Sequence, residues 1–232
     1  MAWNAQSLQA VWFTPGLTAP PPVDDVFRAV TGNVPTSTNS VGGVSNASAT
    51  DGQNVLRVQT QSGRVDFIET FQSFPVLPDL ATVMPKFSQM IDAGTGILGD
   101  VYRLALVVNI SEKTNTPQEA IDLILPKLNL TLPFMGGDEF IFQINRRAPL
   151  RSVQNCEINR ILKWLVQTFQ HLQLTVGASP TYQSLYFATL SIDLNTVSSG
   201  QTFKPTEQKL IFHEMADEVE RLYQSNTVAA LS

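Results

Sequence analysis

The run VYRLALVVNI, residues 101–110, holds one charge in ten residues and is rich in β-branched side chains. Such a segment has no polar face to offer to water, so it reads as a strand in the interior of a sheet. Its neighbours must then be strands too. Residues 55–71, VLRVQTQSGRVDFIETF, supply two alternating runs joined at Ser62-Gly63, the pattern of an antiparallel hairpin. Further alternating runs stand at 7–14, 138–147 and 184–194. Residues 157–176 carry both periods: Ile158, Ile161, Leu162, Leu165 and Phe169 fit a helix, whereas Trp164-Val166 and Leu172-Leu174-Val176 fit a strand interrupted by a bulge. Strand is the preferred reading.

Helices are announced by their ends. PPPVDDVFRAV starts one behind prolines that only a first turn tolerates, and PDLATVMPKFSQMIDAG reads as a second from Pro78 to Gly94, kinked at Pro85. Thr116-Pro117-Gln118-Glu119 is a capping box that opens a third, and 205–225 has the clearest helical period of the chain. Between them, 32–54 has one charge, Asp51, and few large apolar groups, and is expected to be a flexible loop, longer than most connections. The order β-α-ββ-α-β-α-β-β-β-α predicts an α+β fold, with helices packed on a mixed, largely antiparallel sheet in one domain, 1–232. The order divides into halves, 1–97 and 98–232, although no sequence repeat accompanies the division.

The core is well supplied, with 43% hydrophobic residues in 232, but charged residues are only 15%, below the roughly 25% of an average domain. That deficit favours a surface covered by a partner. A net charge of −5 argues against a general nucleic-acid binder. The single Cys156 cannot form an internal disulfide, MAWNAQSLQAVWF lacks a secretion signal's basic start and apolar run, and no stretch is long and apolar enough for a membrane span. A cytoplasmic location without membrane partners is expected.

His213-Glu214-x-x-Asp217 stands one residue away from the zinc-peptidase signature His-Glu-x-x-His. At 100° per residue, Ile211, Phe212, Met215, Val219, Leu222 and Tyr223 share one helix face, and His213, Asp217, Glu220 and Gln224 the opposite one. Zinc catalysis needs three protein ligands, the only other histidine is His171, and Arg221 is placed to pair with Asp217. No metal site is therefore expected. Cys156 has no adjacent base, and the glycine signatures of nucleotide binding do not occur, so no cofactor is expected either.

Basic residues gather at Arg146, Arg147, Arg151, Arg160 and Lys163, beside Trp164, which offers a stacking face. The last helix carries the opposite charge in Glu207, Glu214, Asp217, Glu218 and Glu220. Together these predict a docking surface for a protein partner or a second copy, with phosphate or nucleic acid as the alternative ligand of the basic segment.

RVDFIETF followed by a helix, the strand YRLALVVNI, and LSIDLNTVSSGQTF before a helix that closes in YQSNTV resemble a sparsely distributed family of uncharacterised bacterial proteins. By that resemblance Arg103, Leu104, Leu106, Asn109, Asp193 and His213 match the family pattern, while Ala105 replaces its glycine and Val107 its second arginine. The resemblance brings no known activity or cofactor. The residues, which show no organised catalytic centre, predict a non-enzymatic binding protein, a subunit or sensor of a bacterial complex, and the resemblance adds an association with host defence. The competing expectation is a hydrolase or nucleotide-processing enzyme in which the fold assembles Arg103, Asp193 and His213.

Overall fold

A computed structural model describes residues 3–15, 20–72, 77–131, 137, 139–173, 181–198 and 200–231. Its strands are β1 (Asn4–Phe13), β2 (Ser37–Val41), β3 (Val44–Asp51), β4 (Asn54–Gln61), β5 (Arg64–Phe71), β6 (Arg103–Thr114), β7 (Ile141–Pro149), β8 (Glu157–Gln173) and β9 (Thr181–Thr196). They form one sheet in the order β2-β3-β4-β5-β1-β6-β9-β8-β7, and every neighbouring pair is antiparallel. The helices are α1 (Val23–Thr31), α2 (Leu80–Leu98), α3 (Pro117–Leu128) and α4 (Pro205–Ser225). The chain is therefore an α+β fold with helices packed on an antiparallel sheet.

The connectivity runs strand, helix, meander, helix, and then does so again. β1 and β6 open the two series and lie side by side in the centre of the sheet. This explains why 101–110 is so apolar: in β6, Leu104, Leu106, Val108 and Ile110 are fully buried on the side where α3 and α4 pack. Phe67 on β5 stacks on Phe87 of α2 at 5.1 Å between ring centroids, and Trp12 on β1 meets the edge of Phe212 of α4 at 5.2 Å. All four helices lie on this one side of the sheet. Strand register places residues such as Leu8, Leu106, Leu194 and Leu162 beneath them and alternate residues on the other face.

Four expectations are corrected. Residues 32–54 are not a flexible loop but contain β2, β3 and the start of β4, joined by tight turns at Gly42-Gly43 and Gly52 with positive φ. Their Ser, Thr and Asn side chains hide the strands from a hydrophobicity pattern, because backbone pairing rather than burial holds them. α2 runs through Gly94 to Leu98, with Gly99 as its cap, since Gly94 lets Val30 of α1 approach closely. β7 begins at Ile141, after Glu139 and Phe140, and residue 138 of the expected strand lies outside the described residues. β8 spans 157–173 and keeps an unbroken register to β9 from Ile158 to Gln173, so the strand has no bulge there, and residues 174–176 of the expected strand lie outside the described residues.

Candidate functional site

Among the described residues no helix covers the second face of the sheet. Register assigns its members: Arg57, Ile68, Gln9, Val107, Asp193, Ile161 and Asn145 follow one another from β4 to β7. The next line holds Gln59, Asp66, Val11, Ala105, Asn195, Asn159 and Arg147. This face carries six basic residues (Arg57, Arg64, Arg103, Lys113, Arg147, Lys163) against three acidic ones (Asp66, Glu157, Asp193). The rest of the sequence then has nine basic and seventeen acidic residues. A chain of net charge −5 thus presents one basic sheet face and an acidic remainder.

Side-chain hydrogen bonds lace the face together. Arg103 donates to Asn195 Oδ1 at 2.8 Å, Asn159 donates to the same oxygen at 2.9 Å, and Asn195 Nδ2 donates to Asp193 Oδ1 at 2.9 Å. Asn145 extends the chain to Asn159 at 3.3 Å. On the other side of β1, Arg64 grips Asp66 with two bonds of 2.8 and 2.7 Å, and Gln9 donates to the same carboxylate at 2.7 Å. This grip favours the protonated form of Arg64 beyond the usual guanidinium. Asp66 and Asn195 are 2% and 3% exposed, each sunk among longer neighbours. Phe13 lies between the two clusters, with the guanidinium of Arg64 5.3 Å and that of Arg103 5.2 Å from its ring centroid.

The residues singled out in the sequence divide accordingly. Arg103, Asn109 and Asp193 do share this face, and Asn109 donates to Ser7 at 2.9 Å. His213 does not join them. It is exposed on α4 in the helical layer, with Nε2 3.0 Å from Asp92 of α2, so the fold does not assemble Arg103, Asp193 and His213 into one centre. Glu214, beside it, accepts the backbone N–H groups of Arg151 and Ser152, both at 2.8 Å. Arg221 pairs with Glu218 at 2.7 Å rather than with Asp217. Among the described residues no three His, Cys, Asp or Glu side chains gather as metal ligands would; the side chain of His171 lies outside them. Burial pushes the Cys156 thiol up, away from the nucleophilic thiolate.

The basic segment 146–163 is likewise not one patch. Arg147 and Lys163 face the uncovered side, whereas Arg146 and Arg160 point toward the helices. Arg160 is tied to Glu218 at 3.1 Å and to the Leu231 carbonyl at 3.0 Å, and the Arg151 guanidinium stands 3.6 Å from Glu214. The acidic helix face therefore neutralises part of the segment within the same chain. Trp164 is fully buried and offers no stacking face, because its place on β8 turns it into the core beside Phe142. Alternation along β6 was a signal that Arg103 and Asn109 share a face; nothing local pointed to Asn159, Asn195, Arg64 or Phe13 as their companions.

No family model matches the chain, and no curated protein matches it.

Proposed function

We propose that this protein works by binding rather than catalysis, as a subunit or sensor of a larger complex, and that its working surface is the uncovered sheet face. The observation that carries the reading is the partition of charge, which sets a basic face on an acidic protein. Four of its cations, Arg57, Arg103, Lys113 and Lys163, have no ion-pair partner among the described residues. Arg57 on β4 and Lys163 on β8 stand five strand spacings apart, about 24 Å. A partner that satisfies both must be a broad acidic surface. An acidic protein suits this better than a single-stranded nucleic acid, whose bases need open aromatic faces. Here the Phe13 ring is already flanked by two guanidinium groups, Trp164 is buried, and the exposed Phe169 of β8 is packed edge-on against Phe187.

The network also speaks for recognition. Asp66 and Asp193 accept from amide and guanidinium donors, and this leaves neither as a free base beside a nucleophile. Rigid, hydrogen-bonded polar side chains on a sheet hold their donors at set spacings and lose little entropy on binding. Affinity capture from native lysate tests the reading, with wild type, Arg57→Glu/Lys163→Glu, and a helical-side control, Lys204→Glu/Lys209→Glu. A protein partner kept by wild type and the control but lost by the sheet-face variant is the expected result. Capture of nucleic acid instead, or retention by the sheet-face variant, overturns it.

A further inference from the structure

On the opposite side of the molecule, α2 and α4 diverge around a groove of about 460 Å³. This lies within the range of small-molecule sites, roughly 300–1,000 Å³. Its floor is apolar: Leu80 and Met84 of α2 and Val219 of α4 are all buried. Its rim is acidic: Asp79, Asp217 and Glu220 line it, and no lysine or arginine does. The cations nearest in sequence are committed elsewhere, Lys86 to Asp51 at 2.9 Å and Arg221 to Glu218 at 2.7 Å. His213 also lines the groove, but its Nε2 is turned to Asp92 at 3.0 Å, so no lysine or arginine among the lining residues offsets the rim carboxylates.

Two further features sharpen the chemistry. Pro85 sits inside α2 and has no N–H, so the Ala81 carbonyl has no donor at the fourth residue on. Both residues line the groove. Tyr223 Oη lies 3.0 Å from the Trp3 carbonyl and 3.3 Å from Asp79 Oδ1, and so steadies the Asp79 end.

We infer that the α2–α4 groove is a binding site for a small organic cation, an ammonium or guanidinium group carried on an apolar body. The apolar body would lie on Leu80, Met84 and Val219, while the cation meets Asp217 and Glu220 at the rim. The volume of the groove matches a small molecule, and the charge of the rim selects its sign. The site is independent of the sheet face, and either reading can fail without the other.

The test uses the full chain and three probes of similar shape: phenethylammonium, neutral phenethyl alcohol and anionic phenylacetate, followed by calorimetric titration and amide chemical shifts. Phenethylammonium is expected to bind, with shifts confined to α2 and α4, at least about tenfold more tightly than phenylacetate. Asp217→Asn/Glu220→Gln, which alters exposed positions only, should weaken the cation by about tenfold or more and leave the alcohol unchanged. Ala216→Phe, which fills the groove, should remove binding of all three, and a melting curve shows whether it still folds. Equal affinity for cation and anion, no shifts in α2 and α4, or an unaltered Asp217→Asn/Glu220→Gln variant overturns the inference. So does binding of a basic peptide where the amine fails, which would make the groove a protein-docking surface.

Discussion

Glu214 accepts the backbone N–H of Ser152 at 2.8 Å, and so the residue in the place of a zinc peptidase's general base is instead a clamp between α4 and the β7–β8 connection. The same carboxylate accepts from Arg151 N–H at 2.8 Å, which leaves it shielded, with its side chain 17% exposed. Electrostatics at this point are structural: they hold an edge of the sheet against the helical layer.

Removing that clamp should cost stability. Glu214→Ala leaves two backbone donors to find water and is expected to lose about 1–3 kcal/mol, measured by urea denaturation. Burial by itself pushes the pKa of Glu214 up, but the hydrogen bonds from Arg151 and Ser152 outweigh it and hold the carboxyl below the ordinary value of 4.5. A carboxylate whose folded pKa is depressed contributes stability above its unfolded value and loses it as pH falls through the folded one. Wild type should therefore lose its advantage over Glu214→Gln on acidification below about pH 4.5, and a constant difference down to pH 2 counts against the clamp.

Glu69 has the opposite sign. It is 1% exposed on the helical side of β5, and Asn54 donates to one oxygen while the other has no partner. Burial pushes its pKa up, and the Asn54 bond only partly offsets this. The folded state then binds the proton more tightly than the unfolded state, so stability falls as pH rises past 4.5 through the folded value. Glu69→Gln should raise the melting temperature by about 2–4 °C at pH 7, with the gain fading near pH 4. A loss at pH 7 would show that the charged form is needed.

Gly94 on α2 is a packing requirement rather than a flexible point. A Cβ there would meet Val30 Cγ2 at 2.8 Å and the Trp12 ring at 3.7 Å. Alanine is favoured over glycine in a helix by about 1 kcal/mol, but overpacking a core costs typically 1–3 kcal/mol. Val30, β-branched and 2% exposed, has little room to turn. Gly94→Ala should destabilise, and adding Val30→Ala should recover part of the loss. A stabilised single variant would mean that the two helices adjust freely.

The β2–β3 hairpin is expected to matter despite its bland sequence. Ala47 is fully buried beside α1, and Thr38 donates to Asp24 of that helix at 2.8 Å. Replacing 37–51 with a short Gly/Ser connection uncovers β4 and the flank of α1. The melting temperature should drop by about 5 °C or more. An unchanged melt would make the hairpin an accessory.

Local signals were enough for much of this fold. The capping box at Thr116 and Glu119, the helical period of 205–225 and the Ser62-Gly63 turn each involve residues a few positions apart, and each marks the element found there. β2 and β3 escaped because Ser, Thr and Asn carry no burial pattern, and their strand form depends on pairing with β4. Alternation along β6 set Arg103 and Asn109 on one face, but a strand's two faces are equivalent until something packs on one of them. Arg103 meets Asn195 across 92 positions of sequence, and Arg160 finds Glu218 across 58. The choice of which face is covered, and hence whether Trp164 is core or surface and which cations are left to face outward, belongs to the helices. Their apolar stripes can be buried only by closing over one side of the sheet, and that decision exists only in the tertiary structure.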